Sequence, residues 1–483
     1  GRKTFLDFRE NAPQAATANM YLDKDGNVVK GLSTDSPLAV GVPGSVSGLE
    51  FAREKYGTQT RAMLLQPAIR LAQHGFVLDQ GDIDILRTAT DKFRQDPASA
   101  AIFLNHGKPY QVGDKLVQKD LARTLQAISQ QGADGFYHGK VAAAIVKSSQ
   151  TGGGILSQVD LDHYSTRELA PVECDYRGYH VISAPPPSSG GVVICEMLNI
   201  LEGYPLKDLG FRSAQSVHYQ IEAMRHAYVD RNSYLGDPDF VSNPVSRLTD
   251  KAYAAQIRAA IDPDKAAVSQ DLKPGVAPHE GTNTTHYSIA DRWGNAVAVT
   301  YTLNDWFGTK ITVPGTGVLL NNEMDDFTAK PGVPNLYGLV QGVANAIAPG
   351  KRPLSSMSPT IVSKDGLPVM VLGTPGGSRI ITAVLLTLLN TIDYGMTVQE
   401  AVDAPRFHQQ WLPDVTYVEN FALSPDTRKL LEAHGQKLGP AQPANHMTAI
   451  LIGAPALGGK PVGQNLFYGA NDPRRNTGLA LGY

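Results

Sequence analysis

The chain is poor in cysteine, in net charge and in long apolar runs, and each shortage removes a class of protein. Only Cys174 and Cys195 occur in 483 residues, so a disulfide scaffold is excluded, and without a C-x-x-C pair so is a zinc ribbon. The composition favours two buried free thiols; a single disulfide between them is the alternative. A formal net charge of −3 leaves no basic field for nucleic acid and no polybasic membrane signal. No apolar stretch approaches the length of about 20 residues that a membrane helix needs; the most apolar run, Ile380 to Leu389, is interrupted by Thr382 and Thr387. A G-x-S-x-G elbow, an H-E-x-x-H pair and a phosphate-binding P-loop are also missing. No signal peptide is visible. The first residue is Gly1, not Met, and the chain enters at once a strand-like stretch, RKTFLDF. The natural start is therefore expected upstream, and the lack of a targeting segment leaves the compartment open.

What is present is an ordinary soluble-enzyme composition, 42% hydrophobic and 18% charged, long enough for one large domain or two. It points to a small-molecule or peptide partner. Ser213 is placed to cap a helix that sets Val217, Ile221, Met224 and Tyr228 on one face. PPPSSGG, Pro185 to Gly191, reads as a rigid turn into the helix VVICEMLNILEGY. The most loop-like stretch in mid-chain is Leu272 to Thr285, polar, bearing Pro and Gly, and easily exposed, as a cleavage site must be. Beyond it the texture becomes strand-like at Thr284–Ala290, Ala296–Leu303, Gly317–Leu320, Thr360–Val362 and Val369–Leu372, with SKDGLP as a hairpin turn. Helices follow from Ser378 and from Thr397, which forms a capping box with Glu400. Hairpins mixed with helices, without βαβ alternation, predict an α+β fold of antiparallel sheets covered by helices.

Four short stretches hold groups able to do chemistry. In NTTHYSIADRWGNAVAVTYTLND a five-residue turn, Asp291 to Asn295, sets Ala290 against Ala296 and hence Thr284 against Thr302; a four-residue turn sets Tyr301 there instead. In VLGTPGGSR, Gly376 and Gly377 lie at a strand-to-helix turn, which suits an oxyanion hole or simply a tight turn. NNEMDDF gathers Glu323, Asp325 and Asp326, fit to hold an ammonium group or to form a solvated acidic turn; without a nearby His a metal is not expected. KRPLSSMSPT offers Ser355 and Ser356, fit to bind a carboxylate or to cap the loop.

In this order TTHYSIAD, TYTLND, LLNNEMDDF, KPGVPNLYGLV, KRPLSSMSPT and GTPGGSR resemble the γ-glutamyltransferase family, and DFRENAP, YGTQT, DYRGY, PPPSSGG, YLGDPDF and APRFHQQWLPD extend the likeness over nearly the whole chain. The resemblance implies the N-terminal-nucleophile hydrolase fold, a four-layer αββα sandwich. It implies self-cleavage between Asn283 and Thr284 into a large subunit, 1–283, and a small catalytic subunit, 284–483, which stay together as a heterodimer. Thr284 then resembles the nucleophile, with its own freed α-amine, of unperturbed pKa ~7.7–8.0, as base. Thr302 resembles the residue that hydrogen-bonds it. Arg9, Ser355 and Ser356 are similar to the holders of the donor α-carboxylate, and Asn304, Glu323 and Asp326 to the binders of its amino group. Gly376 and Gly377 resemble the oxyanion hole, and Tyr337 the lid.

The substrates so implied are glutathione, glutamine and other γ-glutamyl compounds, with water, amino acids or peptides as acceptors. No cofactor, metal, nucleic acid or membrane span is implied, and the location is periplasmic or secreted. A secretion signal and at least one strand are expected before RKTFLDF. A glutaryl-type cephalosporin acylase of the same fold, or a binding protein without turnover, are the alternatives. The sequence departs from the family's pattern in three places. Glu323 stands where some bacterial members have Gln. Trp306 replaces a small polar residue and, on an extended strand, would share the Asn304 face at the pocket mouth or else pack inward. ANHMTAI, near the C-terminus, lacks the expected Ser/Thr-rich pattern.

Overall fold

The computed structural model describes the chain except for residues 273–283, 334, 337, 441–444, 460–462, 464–465 and 476. Tyr337, Asn283 and most of the Leu272–Thr285 stretch therefore lie outside the described residues.

The frame of the molecule is a six-stranded sheet and a hairpin laid across it. In chain order the elements are β1 (Val172–Tyr176), β2 (Tyr179–Ser183), helices α1 (Gly190–Glu202) and α2 (Ala214–Tyr234), the hairpin β3 (Thr285–Ala290) and β4 (Ala296–Tyr301), β5 (Thr360–Lys364), β6 (Leu367–Gly373), helices α3 (Arg379–Ile392) and α4 (Val398–Asp403), then β7 (Thr448–Ile452) and β8 (Phe467–Asn471). The sheet order is β8-β7-β6-β5-β2-β1, antiparallel at every pair. Met370 and Leu372 of β6 share one apolar core with Val193 and Met197 of α1, Ile221 and Tyr228 of α2, and Val384 and Leu388 of α3. The hairpin packs across β5, β6 and β7 on the opposite face. There Gly373 leaves room for the His286 ring, whose nearest atom would lie 2.2 Å from a Cβ at that position. This is the α+β layering read from the sequence. The outward face of the hairpin carries the exposed side chains Tyr287, Ile289, Val297 and Tyr301.

Local sequence accounts for the elements. Ser213 caps α2 by accepting from the Ser216 N–H, and Val217, Ile221, Met224 and Tyr228 are buried along one stripe. The Thr397–Glu400 capping box opens α4, and Ser378 precedes α3. Every residue of α1 from Gly190 to Leu201 is buried. Burial on every side makes it a core helix even though Glu196 and Asn199 interrupt its apolar residues, each large aliphatic side chain contributing about 1.5–3 kcal/mol.

Two expectations are corrected here. Cys174 and Cys195 are not free thiols but a disulfide, closing a separation of 21 residues between β1 and α1. Helix α1 packs on β1, a neighbourhood that composition cannot reveal, and a loop of this length is stabilised by about 3 kcal/mol. The second hairpin strand ends at Tyr301, short of Leu303. Asn304 turns into the left-handed region at φ 74°, Phe307 follows at φ 59°, and the Phe307 ring is anchored 5.0 Å from Phe93. This contact ties the segment after the hairpin to the short helices of residues 45–162.

Candidate active site

The hairpin register is the five-residue-turn solution. Ala290 faces Ala296 and Thr285 faces Tyr301, which brings Thr284 opposite Thr302 on the next pair. The Thr284 hydroxyl donates to the Thr302 hydroxyl at 3.4 Å, and Thr302 Oγ1 also accepts from the Asn304 N–H at 2.8 Å. Both threonines are buried at the floor of a cleft that Arg9, Asn304, Asp326, Ser355, Ser356 and Gly377 also line. Leu339, Leu354, Met357 and Ile380 form its apolar wall. Eight of the residues singled out from the sequence thus meet in one place, drawn from both sides of Thr284.

At one end the cleft is ionic. Arg9 follows the short strand Phe5–Asp7 and donates through its two terminal nitrogens to Glu323 and to Asp326. Hence the group expected to hold a carboxylate and two of those expected to hold an amine are paired with each other. Burial opposes the Arg9 charge, but the carboxylates of Glu323, Asp326 and Glu10 outweigh it and raise its pKa. Burial likewise lifts Glu323 well above the usual carboxylate range, against the pull of Arg9, and pushes Glu10 up to about 7. Glu323 is fully buried behind Arg9 and does not line the cleft. Its Oε1 has no hydrogen-bond partner among the described residues. Asn304 donates its side-chain amide to the Asn322 carbonyl at 2.9 Å.

At the other end, hydroxyls and backbone dominate. The Ser355–Ser356 loop is seated on PPPSSGG: Ser189 donates to the Ser355 carbonyl from its N–H at 2.8 Å and from its hydroxyl at 2.7 Å. Beyond β6, Gly376 and Gly377 take φ of 132° and 58°, conformations that glycine adopts without strain. Gly377 lines the cleft. Gly376 lies against Asn445, whose side-chain amide donates to the Pro375 carbonyl at 2.9 Å.

Trp306 is not at the cleft. Because Asn304 and Phe307 turn the chain, it shares no strand face with Asn304; it is half-buried, its ring stacked under the Arg475 guanidinium at 5.0 Å. Phe307, the next residue, enters the aromatic cluster with Phe93 and Phe103.

Sequence reasoning missed two residues. His286, between Thr284 and Ser288 on the inward face, bonds Thr300 at 2.7 Å and Ser288 at 3.1 Å, and burial lowers its pKa to about 3. Arg231 lines the cleft from the last turn of α2. The signal for it was present: 217, 221, 224, 228 and 231 form one helical stripe, and a charge at a core position of such a stripe marks a site.

The profile of the family described as Gamma-glutamyltranspeptidase matches residues 1–482. A glutathione hydrolase proenzyme of Pseudomonas sp. (strain A14) is 74% identical over 484 residues, 100% of this chain and 84% of that protein. The glutathione hydrolase proenzyme of Escherichia coli (strain K12) is 50% identical over 485 residues, 100% of this chain and 82% of that protein. Among solved structures, a cephalosporin acylase from Bacillus halodurans superposes with a TM-score of 0.82 at 27% identity, covering 99% of this chain and 85% of that one. The fold is thus the αββα, N-terminal-nucleophile hydrolase class that the motifs imply, and with a profile match over almost every residue and relatives at 74% and 50% identity the chain belongs to the gamma-glutamyltranspeptidase family.

Proposed function

We propose that Thr284, freed as an N-terminus by cleavage after Asn283, attacks the γ-amide of γ-glutamyl donors. The activity is γ-glutamyl hydrolysis and transfer on small molecules, glutathione among them. The observation that carries the reading is one cleft holding a hydroxyl pair beside groups of both charges, Arg9 and Asp326. That is the complement of an α-amino acid whose side-chain carbonyl must reach a nucleophile.

The Thr284 α-amine, with unperturbed pKa ~7.7–8.0, takes the hydroxyl proton at neutral pH. The oxygen adds to the γ-carbonyl, and N–H groups at Gly376–Gly377 receive the developing oxyanion. The leaving amine takes the proton back and departs, which leaves a γ-glutamyl ester on Thr284. Water or the amine of an amino acid or peptide then attacks the ester by the reverse proton path. Thr302 orients the attacking oxygen. Arg9, Ser355 and Ser356 hold the donor α-carboxylate; Asn304 and Asp326 hold its amine, with Glu323 acting from behind Arg9.

The large piece, 1–283, and the small piece, 284–483, would remain one unit, because β2 and β5, from opposite sides of the cut, are paired in the sheet. The disulfide lies within the large piece and supports a periplasmic or secreted location, where disulfides persist. Among the described residues no helix is long and apolar enough to cross a membrane.

The acylase likeness supplies a second reading, a glutaryl donor without an α-amine. A γ-glutamyl anilide and a glutaryl anilide, assayed side by side, separate them. The γ-glutamyl donor should be cleaved far faster, and faster cleavage of the glutaryl donor would overturn the assignment. Wild-type protein should yield a fragment beginning Thr-Thr-His-Tyr, whereas Thr284→Ala should stay intact and lose activity on the order of 10⁴-fold or more. Activity in an uncleaved chain would refute the mechanism.

A further inference from the structure

Arg231 is buried to 1% exposure, and among the described residues its side chain donates to neutral oxygens: Nε to Ser189 Oγ at 2.9 Å, Nη1 to Asn232 Oδ1 at 2.8 Å and Nη2 to Ser356 Oγ at 2.9 Å. Three other buried arginines, Arg225, Arg352 and Arg406, face carboxylates directly. Arg225 meets Asp414 and Glu222, Arg352 meets Asp7 at 2.7 Å and Arg406 meets Asp472 at 2.8 Å. A buried cation is costly unless an anion accompanies it. Asp326, the carboxylate whose field reaches Arg231, is engaged by Arg9. Burial lowers the Arg231 pKa to about 10, so the group remains charged at neutral pH. Among the described residues no ion pair to Arg231 forms, and the side chain borders the cleft.

Its bonds also organise the loop beneath a ligand. Ser189 accepts from Arg231 and donates to the Ser355 carbonyl. Ser356 accepts from Arg231, which turns its own O–H toward whatever acceptor lies in the cleft.

We propose that Arg231 is the positioning residue of the donor carboxylate seat, supplying the counter-charge for the α-carboxylate and orienting Ser356 as a hydrogen-bond donor to it. The proposal rests on the γ-glutamyl reading above and adds a residue to it. Arg9 holds the carboxylate while tied to the acidic groups that meet the amine, and Arg231 serves the same carboxylate through the serine loop. Donors without an α-carboxylate gain nothing from it.

The test uses self-cleaved enzyme and three anilides: γ-glutamyl, glutaryl (carboxylate without amine) and 4-aminobutyryl (amine without carboxylate). Arg231→Gln should raise KM for the γ-glutamyl and glutaryl donors by about 30-fold or more, change kcat less, and leave kcat/KM for the 4-aminobutyryl donor unchanged. Arg231→Lys should recover part of the loss. Ser189→Ala keeps Arg231 in place but removes one of its partners and, with it, the hydroxyl bond to the Ser355 carbonyl; it guards against a Gln variant that does not fold and should raise KM for the two carboxylate donors by about 10-fold. An equal loss on all three donors, or an unchanged KM in Ser189→Ala and the Arg231 variants, would overturn the proposal. If wild-type enzyme prefers the glutaryl donor, the γ-glutamyl reading fails, yet the glutaryl and 4-aminobutyryl pair still tests Arg231.

Discussion

The hydroxyl end of the cleft is assembled from neighbours in sequence. Thr284 and Thr302 meet because a turn of five residues sets a hairpin register, and the Asn304 N–H then bonds the Thr302 hydroxyl two residues back. The ionic end is assembled across the whole chain. Arg9 meets Glu323 and Asp326 at sequence separations of 314 and 317; burial raises the pKa of both carboxylates, and they in turn raise that of Arg9 against its own burial. Under the proposed function the difference is a division of labour: one end would make and break bonds with uncharged groups held by local geometry, and the other would recognise a zwitterion with buried charges that neutralise one another. Variants at the ionic end should therefore act on KM and on donor choice, and variants of the threonine pair on kcat.

Short of removing the nucleophile itself, Arg9→Ala is expected to have the largest effect. It removes a buried charge and leaves Glu323 and Asp326 facing each other, so kcat/KM for a γ-glutamyl anilide should fall on the order of 30- to 1,000-fold, chiefly through KM. A loss confined to kcat would erase the distinction between the two ends. Thr302→Ala should act in the opposite sense, lowering kcat by about 10-fold through loss of one hydrogen bond to the nucleophile while the preference for γ-glutamyl over glutaryl donor stays fixed; steady-state kinetics on both anilides checks this. The smallest effect should come from His286→Gln. Burial depresses its pKa to about 3, so the imidazole is already neutral at neutral pH, and it is spent on Thr300 and Ser288. Activity should decline as pH falls through the Thr284 α-amine pKa, at ~7.7–8.0 if unperturbed, and the acid limb of kcat/KM should not move in the variant. A displaced limb would make His286 the base and bring an ionisable group into the hydroxyl end.

What could be read in advance follows the same division. The Thr284–Thr302 pairing, the Ser213 cap, the Thr397–Glu400 capping box and the hairpin strands rest on interactions over a few residues, and each is present. The errors fall where a distant element intervenes. Cys174 and Cys195 were read as thiols because nothing local shows that α1 packs on β1. Trp306 was aimed at the cleft by extending a strand that Asn304 and the anchored Phe307 break.

By itself the sequence determined the secondary structure around the nucleophile, the hydrophobic stripes and the set of chemical groups, since backbone geometry and side-chain period act within a turn or a strand. Its ordered motifs also determined the family. Only the tertiary structure decided that Arg9 is held by Glu323 and Asp326, that Glu323 stands behind the cleft and not in it, and that Arg231 ends its helix stripe beside the serine loop with no carboxylate paired to it among the described residues. Charges in a low-dielectric interior interact over several ångströms whatever their separation along the chain, so their partners are set by packing.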